Sequence, residues 1–147
     1  RNAAVGEIYR SVDALAVARG NARRLGLAVD FAEGSWWDAV GDRRFDLALS
    51  NPPYIAEEVW ASLQPEVRDF EPRLALVAGQ SGTEFHERLL HDARQFLVPG
   101  GLLAMELGQG QAPLVRRAAE QSGGYTGFQT IKDEAGIERV MIVRRVG

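Results

Sequence analysis

Phe45-Asp46-Leu47-Ala48-Leu49-Ser50-Asn51-Pro52-Pro53-Tyr54 is the stretch on which the fold turns. Its first six residues are a short apolar run behind the polar Asp42-Arg43-Arg44, which predicts a strand over 45–50. The apolar character suggests cover on both faces, the signature of a parallel sheet. Asn-Pro-Pro then ends the strand. Consecutive prolines fix φ at two positions and remove two N–H donors, so the turn is stiff and its carbonyls are left to accept from something else. In an open α/β sheet ligands bind beyond the carboxyl ends of the strands, and this tetrapeptide falls there. The Asn51 side-chain oxygen and the Pro52 carbonyl can together accept both hydrogens of a planar NH2 group, while the Tyr54 ring supplies a flat wall. Such a corner grips an amide or an exocyclic amine. Read as loop punctuation alone, it would only terminate the strand.

Outward from this stretch the chain keeps a βαβ rhythm with no repeat and no long linker, which predicts a single domain over 1–147. Ser11 is placed to cap a helix whose Leu15, Ala18, Ala22 and Leu25 recur at helical spacing, and Gly26 to end it. Leu27 to Ala32 reads as a strand. Beyond the tetrapeptide come a helical turn near Glu57 to Leu63, a short apolar run from Leu74 to Ala78, and a turn bracketed by Gly79 and Gly82. Thr83 to Leu97 is strongly helical, with Phe85, Leu89, Leu90, Ala93, Phe96 and Leu97 on one face, and Pro99-Gly100-Gly101 stops it. A strand from Leu102 to Leu107, a Gly-Gln-Gly turn and a helix from Pro113 to Gln121 follow. Gly127 to Asp133 and Arg139 to Arg145 suit an antiparallel hairpin.

The 147 residues are 46% hydrophobic and 25% charged, the composition of an ordinary globular domain able to bury a core without disulfides or a structural metal. Cysteine is absent, which excludes thiolate metal sites and a cysteine nucleophile. Seventeen basic against twenty acidic side chains give no global field toward nucleic acid or an anionic membrane. No apolar run reaches membrane-spanning length and Arg1 to Arg10 has no signal-peptide character, so the expectation is a cytoplasmic protein with no membrane partner.

The residues resemble the class I, S-adenosylmethionine-dependent HemK/PrmC methyltransferases. The likeness is carried by Val12-Asp13-Ala14-Leu15-Ala16-Val17-Ala18-Arg19, by Gly34-Ser35-Trp36-Trp37, and by the 45–54 stretch. Downstream it continues through Phe70-Glu71-Pro72-Arg73-Leu74-Ala75-Leu76, Pro99-Gly100-Gly101-Leu102, Glu106-Leu107-Gly108 and Asp133-Glu134-Ala135-Gly136-Ile137-Glu138-Arg139-Val140. The resemblance implies an α/β, Rossmann-like class I methyltransferase sandwich, mostly parallel, with a C-terminal antiparallel hairpin. It also implies S-adenosyl-L-methionine as cofactor and, as protein substrate, the glutamine side-chain amide of the Gly-Gly-Gln motif in peptide chain release factors. By the same resemblance Asn51, Pro52 and Tyr54 are catalytic, Asn51, Pro52, Pro53 and Tyr54 bind the substrate amide, and Trp36, Ser35 and Asn51 bind the cofactor. The tetrapeptide occurs also in methyltransferases acting on adenine amino groups, a reading that predicts a basic groove and stacking aromatics beyond Tyr54. A remnant that binds no cofactor is the third reading.

The chain departs from the family pattern in three places. No Gly-rich loop precedes Ser11, so the first strand of the sheet is expected to be missing, or to survive as a scrap in Asn2-Ala3-Ala4-Val5, in an N-terminally truncated catalytic domain. Tyr9 stands where the family carries an acid for the ribose hydroxyls, with Glu7 two residues earlier on the same strand face. Ser35 replaces an acid found before the tryptophan in many relatives. His86 and His91, five apart, fall on different helical faces, read as surface or boundary positions and make no paired metal ligation. Glu106 and Asp46 read as structural acids without a visible partner. Arg43-Arg44, Arg116-Arg117 and Arg144-Arg145 read as solvated ends of elements, and no direct nucleic-acid partner is expected.

Overall fold

A computed structural model describes residues 4–147; Arg1 to Ala3, which include the first half of the expected strand scrap, lie outside the described residues. The chain divides into two compact units, Arg1–Arg43 and Arg44–Gly147.

In the first unit, β1 (Val5–Tyr9) and β2 (Val29–Glu33) pair in parallel around helix α1 (Val12–Leu25) in the connection. Ser11 caps α1 by accepting from the Ala14 N–H at 3.2 Å, Asp13 lies in its first turn, and Arg23 and Arg24 in its last complement the helix dipole. The helix ends at Gly26 in the left-handed region (φ 65°), and the Leu27 N–H reaches back to the Ala22 carbonyl at 2.9 Å. This 6→1 bond moves the strand two residues beyond its expected start at Leu27, because Leu27 is spent on the helix terminus. Leu15 and Ala22 are buried as the spacing requires, whereas Leu25, beside the cap, is 64% exposed.

The second unit is built on a four-stranded sheet in the order β3-β6-β8-β7: β3 (Phe45–Ser50), β6 (Leu97–Glu106), β8 (Glu138–Arg145) and β7 (Tyr125–Lys132). β3 and β6 are parallel; β8 is antiparallel to both its neighbours. Helices α4 (Glu84–Phe96) and α5 (Ala112–Gln121) pack against it around a core of Leu97, Leu103, Met105, Leu107, Val115, Met141 and Val143, each at most 1% exposed. β6 is longer than the sequence suggests, since Pro99-Gly100-Gly101 lies inside an irregular start to the strand rather than before it. A Cβ at Gly101 would stand 2.9 Å from the Val98 carbonyl oxygen and 3.2 Å from that of Phe45, where the β3–β6 register shifts. The hairpin also starts earlier, at Tyr125, with Gly127 (φ 63°) inside a register shift.

A third, two-stranded pairing joins β4 (Ile55–Ala56) to β5 (Val77–Gly79) in parallel, with the short helices α2 (Pro65–Arg68) and α3 (Arg73–Leu76) between them. The run 74–78 is therefore split between a helical turn and a strand. The expectation of two-sided cover for 45–50 fails: Leu47 is 49% and Leu49 74% exposed. Among the described residues β3 bonds only to β6 and stands at the edge of the sheet, and its period-two alternation puts Leu47 and Leu49 together on one face. No helix among the described residues is long and apolar enough to cross a membrane.

Candidate active site at the end of the third strand

The β3–β6 ladder ends on the pair Ser50–Met105, so the next residues on the two strands are Asn51 and Glu106. Asn51 is exposed, Pro52 buried, and Pro53 and Tyr54 half-buried. Neither the Asn51 carboxamide nor the Pro52 carbonyl has a hydrogen-bond partner among the described residues. The stiff turn therefore presents the acceptor pair that its composition implies, with one oxygen on a side chain and one on the main chain.

Tyr54 is anchored by its N–H, carbonyl and hydroxyl. The N–H donates to the Leu76 carbonyl at 3.2 Å, the carbonyl accepts from Gln111 Nε2 at 2.8 Å, and the hydroxyl donates to Glu106 Oε1 at 3.2 Å. Partial burial pushes the phenol's pKa above its ordinary value; the Glu106 charge and this hydrogen bond add to the shift, and Arg139 opposes it. Arg139 is itself held by Asp133 Oδ2 at 2.9 Å, while Asp133 Oδ1 accepts from the N–H groups of Ala135 and Ile137 and shapes the hairpin connection.

Two sequence readings are corrected here. Glu106 has a partner in Tyr54, 52 positions away. His86 is not a surface residue: it is fully buried in α4 and its Nε2 donates to the Glu106 carbonyl at 2.7 Å. That bond assigns the ring proton to Nε2 and leaves Nδ1 without a partner among the described residues. His91 is exposed and pairs with Asp92 at 2.8 Å. Of the arginine pairs read as solvated ends, Arg43, Arg44, Arg116, Arg117 and Arg144 are exposed, Arg116 pairing with Glu120 and Arg144 donating to the Gly100 carbonyl. Glu106 and Gln111 reach the tetrapeptide from other elements, and no local spacing in the sequence announces them; His86 stands behind Glu106, on the helical face it shares with Leu89, Leu90 and Ala93.

Ser35 and Trp36 lie in the first unit on the loop after β2, both half-buried. Trp36 occupies the left-handed region at φ 58°, a conformation that costs a bulky residue on the order of 1–3 kcal/mol. Gly34 pins the loop by donating to the Tyr9 carbonyl at 3.0 Å, and a Cβ there would come 2.6 Å from that of Ala39. Trp37 is half-buried like its neighbour. Glu7 accepts from the Tyr9 hydroxyl at 2.9 Å, the bond that chiefly raises the Tyr9 phenol's pKa, and keeps its second carboxylate oxygen.

Beyond Tyr54 there is little bare positive charge. Arg68 pairs with Asp69, and Arg73 pairs with Glu57 while stacking on Trp60, so these arginines face carboxylates of the same segment. A cavity of about 540 Å³ lined by Arg44, His91, Arg94 and Arg145 lies at the amino-terminal end of β3 and β6, away from the tetrapeptide.

No protein-family model matches the chain. Curated proteins named release factor glutamine methyltransferase do: that of Geobacter sulfurreducens is 44% identical over 134 residues, covering 91% of this chain and 47% of the relative. That of Caulobacter vibrioides is 43% identical over 137 residues, covering 92% and 47%. The chain thus spans about half the length of the curated relatives it matches. Among solved structures, a methyltransferase from Pyrococcus furiosus superposes with a TM-score of 0.72 at 21% identity, over 98% of this chain and 64% of the other. The protein-(glutamine-N5) methyltransferase of Alicyclobacillus acidocaldarius gives 0.51 at 24%, over 97% and 80%. A 16S rRNA methyltransferase of T. thermophilus, solved with AdoMet and guanosine, gives 0.62 at 15%, over 98% and 32%. The chain is a homologue of the release factor glutamine methyltransferases over nine-tenths of its length, and its fold is the Rossmann-like fold of class I methyltransferases.

Proposed function

We propose that this chain carries the methyl-transfer chemistry of a protein-(glutamine-N5) methyltransferase that uses S-adenosyl-L-methionine and acts on a peptide chain release factor in the cytoplasm. The observation that carries the reading is the unpartnered acceptor pair, Asn51 Oδ1 and the Pro52 carbonyl, on a corner whose far end is fixed at Tyr54. The names of the relatives support the substrate class.

S-adenosyl-L-methionine, when bound, supplies a methyl group made electrophilic by its sulfonium. Trp36 and Ser35 fit its adenine as a half-buried ring and a hydroxyl, and the remaining Glu7 oxygen fits a ribose hydroxyl. A carboxamide nitrogen is a weak nucleophile because its lone pair is delocalised, so the protein's contribution is orientation and hydrogen bonding. Asn51 and Pro52 accept the two N–H groups of the substrate amide, which fixes the plane of the nitrogen and stabilises it as it turns tetrahedral and sheds a proton to solvent. Pro53 keeps the corner stiff, and the Tyr54 ring walls one side.

Mass spectrometry of a release factor incubated with the chain and S-adenosyl-L-methionine tests this. One methyl gain on the Gly-Gly-Gln glutamine is expected, and Asn51→Ala lowers the rate by about 10²–10³-fold, as for loss of one oriented polar partner. The exposed position leaves the melting temperature nearly unchanged. Near-normal turnover by Asn51→Ala overturns the role. Methylation of an adenine oligonucleotide instead supports the nucleic-acid reading, and absence of heat on titration with S-adenosylhomocysteine supports the remnant.

A further inference from the structure

We infer that Gln111 is the positioning residue of the tetrapeptide corner, a role that rests on the function proposed above. Its carboxamide makes three hydrogen bonds to three separate segments. Nε2 donates to the Tyr54 carbonyl at 2.8 Å and to the Gly82 carbonyl at 3.1 Å, and Oε1 accepts from the Gly108 N–H at 2.9 Å. One side chain, at the start of α5, thus ties the chain after β3 to the segment before α4 and to the end of β6. Both of its N–H hydrogens are used, and only a carboxamide offers two donors and an acceptor on one planar group.

The surrounding backbone leaves this clasp no slack. Gly82 lies at φ 80°, and a Cβ there would stand 2.7 Å from the Tyr54 carbonyl oxygen and 2.8 Å from Gln111 Nε2. A Cβ at Gly108 would stand 2.9 Å from Gln111 Oε1 and 3.1 Å from the Tyr54 ring. Two glycines are required because the carboxamide and the Tyr54 backbone approach so closely.

The consequence for the corner is geometric. Prolines fix φ at Pro52 and Pro53 and hold ψ of the residues before them, Asn51 and Pro52, to the extended range, but they leave ψ at Pro53 and the rotations within that range open. β3 anchors the start of this segment, and Gln111, through the Tyr54 carbonyl, anchors its end; with both ends fixed the remaining rotations are constrained, and the Asn51 and Pro52 acceptors stand at one separation. Gln111 does with its own N–H pair, against two main-chain carbonyls, what the corner is proposed to do with a substrate's. Its carboxamide bonds only to main-chain groups of this chain, so its removal is expected to fall on the rate of transfer rather than on cofactor affinity.

Gln111→Met keeps the length of the side chain and deletes all three bonds; Gln111→Glu keeps the acceptor for Gly108 and deletes the two donors. Methyl transfer to the release factor and hydrogen exchange of the 51–56 segment are measured for each. The Met variant is expected to lose about 10–100-fold in kcat with the KM for S-adenosyl-L-methionine within twofold, and to exchange faster over 51–56, in line with the cost of a small misplacement. The Glu variant loses as much near neutral pH but recovers part of both readouts as the pH is lowered and its carboxyl regains one O–H donor, a response the Met variant lacks. Gln109→Ala, exposed on the same turn, changes neither. Parent-like kcat and exchange in the Met variant overturn the inference; if that variant does not fold, the pH response of the Glu variant decides, and its absence overturns the inference too. If the parent chain itself transfers no methyl group, the functional reading has failed, and exchange over 51–56 alone decides whether Gln111 holds the corner.

Discussion

Tyr54 shows how a single residue takes its chemistry from distant parts of the chain. Its hydroxyl is set by Glu106 and its carbonyl by Gln111, at sequence separations of 52 and 57. Burial is the largest cause of the raised phenol pKa, with the Glu106 charge next, so Glu106→Gln lowers that pKa while leaving it above the ordinary value of 10.0. The glutamine still offers an acceptor, and the fold is expected to stay intact with transfer reduced several-fold. Tyrosinate absorbance against pH, taken as a difference from Tyr54→Phe, checks this; an unmoved titration curve means that the Glu106 charge does not act on Tyr54. Asn51, Pro52, Pro53 and Tyr54 were legible as a group because they are contiguous and their chemistry is local. Glu106 and Gln111 were not, because a partner some fifty residues away leaves no spacing to read.

α4 illustrates the same division for an element. Its helical period is plain from Leu89, Leu90 and Ala93 and puts His86 on the same stripe, three, four and seven residues earlier; the polar side chain suggests a surface or boundary place, and the structure buries it completely. Burial lowers the imidazole pKa below its ordinary 6.5, against the bond to Glu106 and the Glu87 charge. The unfolded chain therefore takes up a proton near pH 6.5 that the folded chain resists. This contribution to stability is present above that pH and is lost as the pH falls through 6.5 toward the lower folded value. Melting temperature should drop between about pH 8 and about pH 5, and His86→Gln, which keeps a donor for the Glu106 carbonyl but does not titrate, should flatten the drop. An unchanged slope in the variant would remove His86 as its source. The shifted starts of β2 and β6 have separate origins: a helix terminus consumes Leu27, and a glycine-rich approach between β3 and β6 lets the strand begin before Leu102.

Across the whole molecule the core is unevenly shared. Among the described residues the first unit buries Leu15, Ala22 and Val40, whereas the second buries Leu97, Leu103, Met105, Leu107, Val115, Met141 and Val143 to 1% exposure or less. Local opening follows buried apolar contact, so amides of β6 and β8 should exchange slowest and those of β1 and β2 at least about tenfold faster. Hydrogen-exchange mass spectrometry reads this directly, and equal protection of the two sets would contradict it. The sequence by itself determined the α/β class, the terminal hairpin and the stiff turn after β3, because period, turn chemistry and two adjacent prolines act over a few residues. Only the tertiary structure decided that Leu47 and Leu49 are exposed on an edge strand, that His86 finds its partner in the Glu106 carbonyl, and that Glu106 and Gln111 hold Tyr54. Edge position, burial and long-range hydrogen bonds depend on which elements become neighbours, and that is a property of the assembled sheet rather than of any one segment.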